Sequence, residues 1–220
     1  MAILAGGFSG RSWRVLESLP PNFKDQFERN LGRHGFRPID VEKGEVQSAG
    51  WVNIRQMLDA RLTMDKVLFG DLIALGLRVD RLALNQKLFR ATLAQEIGRK
   101  LRQTGREGLG REQRVVLEDK VRLELLRRTA PATALHEMVW HLPSGMVLLG
   151  SGARKVGLLF ADLFAETFQV SIKPQLPFLR AQDWAERNGA ERRLLELLPS
   201  PFSPEAPLEV VEVREEQATQ

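Results

Sequence analysis

The chain has 220 residues, 32 Lys or Arg against 28 Asp or Glu, and no Cys. Without Cys there is neither a disulfide framework nor a thiolate metal site, and a chain this long buries about 70% of its unfolded surface without such staples. Its 43% hydrophobic and 27% charged content is that of a globular protein.

Ser12–Glu17 is a strand candidate, and Pro20-Pro21 suits a helix start, where a missing N–H costs nothing. Phe23, Phe27 and Leu31 recur every four residues, which predicts a helix over 22–33. Gly35 stops it, and Phe36–Val41 is expected as a second strand, making a β-α-β opening. Lys43–Gly50 reads as a loop before Gly50-Trp51-Val52. The apolar run 65–84 predicts one or two buried strands, around Val67–Leu72 and Leu75–Val79, with a helix as the rival.

Two helices are expected next. Phe89, Leu93, Ile97 and Leu101 form the apolar stripe of the first, and Leu117, Val121 and Leu125 that of the second. Gly105, Gly108 and Gly110 separate them, and Pro131 ends the pair. Glu137–Leu142 and Met146–Gly150, around Pro143-Ser-Gly145, predict a β-hairpin. Ser151 is expected to cap a helix over 153–168, and 170–173 to return as a strand. A last helix is expected over 181–198, weakened at Gly189. It leads into a linker with Pro199, Pro201, Pro204 and Pro207. The end, Leu208–Glu216, alternates apolar and acidic residues and reads as either a strand or a disordered acidic tail.

The fold expected is therefore α+β, with two small sheet-plus-helix units joined by an exposed basic helical hairpin. The divisions are 1–85, 86–131, 132–176 and 177–220. Met1–Gly10 lacks a basic n-region, and no window reaches the ~20 apolar residues of a membrane helix, so a soluble, cytoplasmic protein is expected.

The net charge is only +4, yet residues 87–128 hold twelve basic groups against six acidic ones. The positive field is thus local. Arg outnumbers Lys within it, and the guanidinium fork suits phosphate oxygens. The polyanion-contact candidates are Lys87, Arg90, Arg99, Lys100, Arg102, Arg106, Arg111, Arg114, Arg122, Arg127 and Arg128. Glu96–Lys100, Glu118–Arg122 and Glu124–Arg128 are spaced as solvated helix ion pairs, each about 0.2–0.5 kcal/mol. Phe89 belongs to the apolar stripe, so stacking of single-stranded bases has no support. Gly150-Ser-Gly152-Ala-Arg154-Lys155 follows a strand and opens a helix. It reads as an ordinary helix start or as a phosphate contact by Arg154 and Lys155. It matches neither a dinucleotide fingerprint nor a Walker A loop.

Catalytic constellations are not evident. The carboxylates are scattered, and His136 and His141, five apart on a strand, face opposite sides. No catalytic residue, metal or cofactor is expected.

The order of Gly50-Trp51-Val52, Gly98-Arg99, Leu125-Leu126-Arg127-Arg128, Val139-Trp140, the turn from Gly150 to Lys155, and Asp183-Trp184 resembles the RdgC family. These are recombination-associated bacterial DNA-binding proteins, and the resemblance spans roughly three quarters of the chain. It implies sequence-tolerant binding of double-stranded DNA through the backbone, a homodimer closing a ring around the duplex, and restraint of the strand-exchange recombinase. A recombinase or recombination mediator is the partner implied, and the location nucleoid-associated. Three departures stand out: the family extends further at its C-terminus, it tends to continue Pro-Arg-Ala-Phe where this chain has Arg127-Arg128-Thr129-Ala130, and the stretch from Leu82 to Lys87 lacks the family's proline. The chain reads as a shortened relative. The competing expectations are a metal-dependent nuclease or other DNA-processing enzyme, and a protein-interaction subunit of a recombination complex.

Overall fold

Alternate apolar residues along the strands, and apolar residues every three or four positions along two helices, converge on one side of a sheet. A computed structural model describes residues 9–105 and 107–198. Its strands are β1 (Arg11–Val15), β2 (Gln47–Asn53), β3 (Leu68–Phe69), β4 (Leu72–Arg81), β5 (Ala132–His141), β6 (Met146–Leu149) and β7 (Ile172–Pro174). The helices are α1 (Phe23–His34), α2 (Met64–Val67), α3 (Gln86–Thr104), α4 (Arg111–Arg127), α5 (Arg154–Phe168), α6 (Pro177–Asn188) and α7 (Glu191–Leu195). The strand order is β2-β4-β5-β6-β1-β7, all antiparallel, with β3 hooked onto β4.

The architecture is α+β, but the two expected sheet units are one sheet. The N-terminal β1 pairs with β6 and β7 from the second half, and β4 runs against all of β5, from Leu72 opposite His141 to Arg81 opposite Ala132. A two-stranded hairpin is marginal on its own, and one shared apolar face buries more than two separate small sheets would. The opening is likewise not a β-α-β unit: β1 lies between β6 and β7, while β2 is at the far edge beside β4. Residues 36–41 are no strand. The Phe36 N–H donates to the Trp51 carbonyl at 2.9 Å, a single parallel bridge joins Gly35 to Trp51, and a 3-10 turn follows at Val41–Lys43. Pro38 has no N–H with which to continue a ladder. The strand begins at Gln47 instead, inside the expected loop.

On the covered face, α5 sets Phe160, Phe164 and Phe168 one turn apart against Trp13, Trp51 and Trp140 of the sheet and Phe27 of α1. Ring centroids lie 4.6 Å apart for Phe164–Phe168 and 4.8 Å for Phe27–Phe168 and Trp13–Phe160. The buried Thr167 locks this layer. Its hydroxyl accepts from Trp51 Nε1 at 2.8 Å and donates to the Leu163 carbonyl, and its own carbonyl accepts from Asn30 Nδ2 at 2.9 Å. These three bonds give the buried Trp51 N–H, Asn30 amide and Thr167 hydroxyl their partners, and each avoids a desolvation cost of about 1–3 kcal/mol, whereas the buried Trp140 Nε1 has no partner among the described residues.

Two local expectations shift. Ser151 is not the cap of α5: the cap position is Ala153, and Ser151 Oγ accepts from the Ala153 N–H at 3.4 Å. The last helix starts earlier, with Pro177 in its first turn, and divides in two at Gly189, whose φ of 59° is left-handed. The chain forms two units, divided after Gln175. The Pro-rich linker from Pro199 and the segment Leu208–Glu216 lie outside the described residues.

Two side chains on the sheet's other face form an ion pair that is almost fully withdrawn from water. Arg78 donates from Nε and Nη2 to the Asp80 carboxylate at 2.9 and 2.7 Å, and its guanidinium lies 4.1 Å from the Phe36 ring centroid. The Arg78 hydrogen bonds hold the Asp80 carboxyl below the usual carboxylate range, helped by Thr133 and opposed by burial. A folded-state pKa below the unfolded one stabilises the fold above about pH 4, and that contribution is lost as pH falls through the folded value. Arg78→Ala is expected to cost about 3 kcal/mol in denaturant titration at pH 7, because it strands a buried carboxylate. Asp80→Asn should flatten the acid limb of the stability curve, and an unchanged limb would contradict the assignment. Gly50 supplies a second test. A Cβ there would stand 2.5 Å from Phe36 Cα and 2.6 Å from its nitrogen, both backbone. Gly50→Ala should cost about 3 kcal/mol by the same measurement.

Candidate nucleic-acid interface

The connection between β4 and β5 consists largely of α3 and α4. Asn85 caps α3, its carboxamide oxygen accepting from the N–H groups of Lys87 and Leu88, both at 3.1 Å. Phe89 and Leu93 of α3 pack on Leu117 and Val121 of α4, with Leu84, Ile97, Leu109 and Leu125 at the margins. This small core is separate from the one under the sheet. The two helices are held side by side at their base because Arg81, near the start of α3, is paired with Ala132, just beyond α4. The pair is thus an excursion from a β-hairpin, not a joint between two sheets. At 19 residues, α3 extends about 28 Å.

The candidate cations differ in what already holds them. Arg99 donates from Nε and Nη2 to Glu96 at 3.1 and 2.5 Å, and Arg114 Nε to Glu118 at 3.1 Å. Lys120 lies 4.0 Å from Glu124. The expected partners of these carboxylates were Lys100, Arg122 and Arg128, and each is replaced for a local reason. Arg99 can aim two N–H groups at Glu96, whereas Lys100 presents a point charge. Arg122 lies over the Phe89 ring, 5.3 Å from its centroid, and Arg128 is past the last helical turn. Arg127 reaches across the fold and clamps Glu42 of the 3-10 turn through Nε and Nη2 at 2.7 and 2.8 Å.

Lys87, Arg90, Lys100, Arg102, Arg111 and Arg128 carry no ion pair among the described residues. All but the half-buried Lys100 are exposed. Lys87, Arg90 and Arg128 lie at the base of the helix pair, Lys100 along α3, and Arg102 and Arg111 towards the far end. Arg106 lies outside the described residues.

Arg154 and Lys155 form the exposed first turn of α5 and have no ion pair among the described residues. Arg11 joins them, its Nε donating to the Gly152 carbonyl at 3.1 Å. This second positive group emerges from the same end of the sheet as the helix pair. It is offset, because Leu149 pairs with Met138 while the helix pair departs level with Ala132, about 20 Å further along the strand. The structure therefore gathers the α3–α4 candidates into one body and leaves Arg154 and Lys155 outside it. Between the two groups His136 is pushed below the usual imidazole range, first by burial and also by the charge of Arg81.

Sequence reasoning missed the role of Glu42, since its partner is 85 residues away and no local spacing links them. It also passed over Lys120 and Gln103, although both lie at helical spacing from named candidates. His136 and His141 point to opposite faces, opposite Leu77 and Leu72 respectively. No cluster of three or more potential metal ligands occurs among the described residues, and no helix there is long and apolar enough to cross a membrane. No protein-family model matches the chain, and no curated protein matches it either.

The Arg127–Glu42 clamp ties the last turn of α4 to the body, and Arg127 holds the Glu42 carboxyl below its usual range. Both groups are exposed, so the tie is open to screening by salt. Glu42→Gln is expected to lower hydrogen-exchange protection at residues 124–128 in dilute buffer, with the difference shrinking at 1 M salt. Equal protection at both salt concentrations would show that the clamp does not hold the helix.

Proposed function

We propose that this protein binds double-stranded DNA through its phosphate backbone, without catalysis and with little sequence preference, and that α3 and α4 carry the contact. The observation that carries this reading is the set of cations on α3 and α4 left without carboxylate partners. Six of the eleven designated positions within 87–128 carry neither an ion pair nor a ring contact among the described residues, so their charge is available to an outside anion. The length of α3, about 28 Å, approaches one duplex turn of about 34 Å, so contacts to several phosphates fit along the pair. Arg122 and Phe89 are engaged with each other, which favours backbone contact over base stacking.

The resemblance to the RdgC family supports the same ligand. It adds a homodimer, a recombinase or recombination mediator as partner, a nucleoid-associated location in the cytoplasm, and a role in modulating homologous recombination or nucleoid organisation. On this reading the finer architecture is the helix pair as a basic hairpin presented by the sheet. A second reading, a protein-interaction subunit, is favoured by one observation. The unit 176–198 exposes Phe178, Trp184, Leu195 and Leu197, and a groove of about 310 Å³ there is lined by Trp184, Leu194 and Leu197.

Titration of unrelated duplexes with the full chain at several salt concentrations tests the leading reading. Neutralising about five phosphates gives a log–log slope near −4.5. Replacing Lys87, Arg102 and Arg111 by Gln should weaken all sequences alike and make the slope shallower by about 2 to 3. No binding at low salt, or a flat salt response, sinks the proposal. Duplex incubated with Mg²⁺ or Mn²⁺ should stay intact, and cleavage would transfer the reading to a nuclease.

A further inference from the structure

A cleft of about 200 Å³ opens between α3 and α4 at the edge of their apolar contact. Glu96, Arg99, Lys100 and Gln103 line it from one face of α3, at spacings that bring them into register on a helix. Lys120 and the buried Leu117 line it from α4. Three cations, one amide and one carboxylate thus surround an apolar floor.

Their bonding is unequal. Glu96 takes both N–H groups of the Arg99 fork on a single oxygen, Oε2. Lys120 is only loosely held, 4.0 Å from Glu124. The Lys100 side chain is half-buried, and its ammonium has no hydrogen bond or ion pair among the described residues. The cleft therefore holds more positive donors than its carboxylate satisfies, and that carboxylate sits where a tetrahedral anion would meet the Arg99 fork. Small-molecule sites enclose about 300–1,000 Å³, so this cleft is too small for a nucleotide. It has room for one phosphate group with its waters.

We propose that the cleft is a seat for a single phosphate group, held by Arg99, Lys100 and Lys120, and that Glu96 occupies the Arg99 fork until that group displaces it. The seat rests on the duplex-binding reading for the source of the phosphate, a backbone phosphodiester. It makes the middle of the helix pair a fixed point of register, where charge alone would give a sliding contact. Arg99 and Lys120 are each more than half exposed, so a duplex backbone can reach them.

The test compares duplex affinity at one salt concentration for the full chain and three variants, with thermal unfolding as a check on the fold. Glu96→Gln frees the fork and should tighten binding about fivefold, the scale of one net hydrogen bond. Glu112→Gln makes the same charge change on exposed α4 surface outside the cleft and should tighten it less than about twofold. The double variant Lys100→Gln with Lys120→Gln should weaken binding about tenfold or more. Equal effects of Glu96→Gln and Glu112→Gln, or wild-type affinity in the double variant, overturn the seat while leaving duplex binding in place. If the wild-type chain binds no duplex, the functional reading falls. Inorganic phosphate is then titrated while the Lys100 and Lys120 ammonium resonances are followed by NMR. Saturable shifts confined to those two lysines support the seat with free phosphate as its source, and their absence overturns it.

Discussion

The ten-residue ladder between β4 and β5 is the constraint on which the rest depends. It is the longest pairing in the sheet, and it runs without a break from Leu72 opposite His141 to Arg81 opposite Ala132. Because antiparallel register has a period of two, a slip of one residue would turn Ile73, Leu75, Leu77 and Val79 away from the aromatic layer and bring Arg78 and Asp80 into it. Register here is therefore strongly specified. The same register brings the start of α3 and the end of α4 together, so their hydrophobic stripes meet without a long search. A core of only Phe89, Leu93, Leu117 and Val121 then suffices to hold the pair.

Charge and packing divide the work between the two cores. The main core is closed by Thr167, Trp51 and Asn30, which are hydrogen-bonded to one another or to the backbone inside the fold. The helix pair is the reverse: its apolar contact is thin, and its surface carries a surplus of cationic side chains. Some of these serve the protein itself. Arg127 ties α4 to Glu42, Arg122 lies over Phe89, and Arg114 and Arg99 answer carboxylates on their own helices. Lys87, Arg90, Arg102, Arg111 and Arg128 answer none among the described residues. Surplus charge becomes meaningful only after these internal pairings have been subtracted.

The periodic elements were legible in the chain, and the long-range ones were not. Helices α3 and α4 follow from four-residue stripes bounded by glycines and Pro131, and the β5–β6 hairpin from its turn chemistry. The Phe36–Val41 strand failed because a β-rich composition says nothing about Pro38 lacking an N–H in a ladder. The two-sheet expectation failed because it assumed that strands close in sequence stay together. Instead β1 crossed to β6 and β7, where Trp13 meets Phe160. Local spacing named the right carboxylates for the helix ion pairs and the wrong cations, since spacing cannot weigh an Arg fork against a Lys or see a ring beneath Arg122.

By itself the sequence determined the class, the two amphipathic helices, the concentration of positive charge within residues 87–128 and the absence of thiol chemistry. These depend on composition and on periods of two and 3.6 residues, which a chain carries whether or not it is folded. Only the tertiary structure decided that the strands form one sheet and that the helix pair leaves it at the Arg81–Ala132 rung. It also decided which cations remain free. Those outcomes turn on distances between residues far apart in the chain, such as Arg127 and Glu42, and distance is a property of the packed state alone.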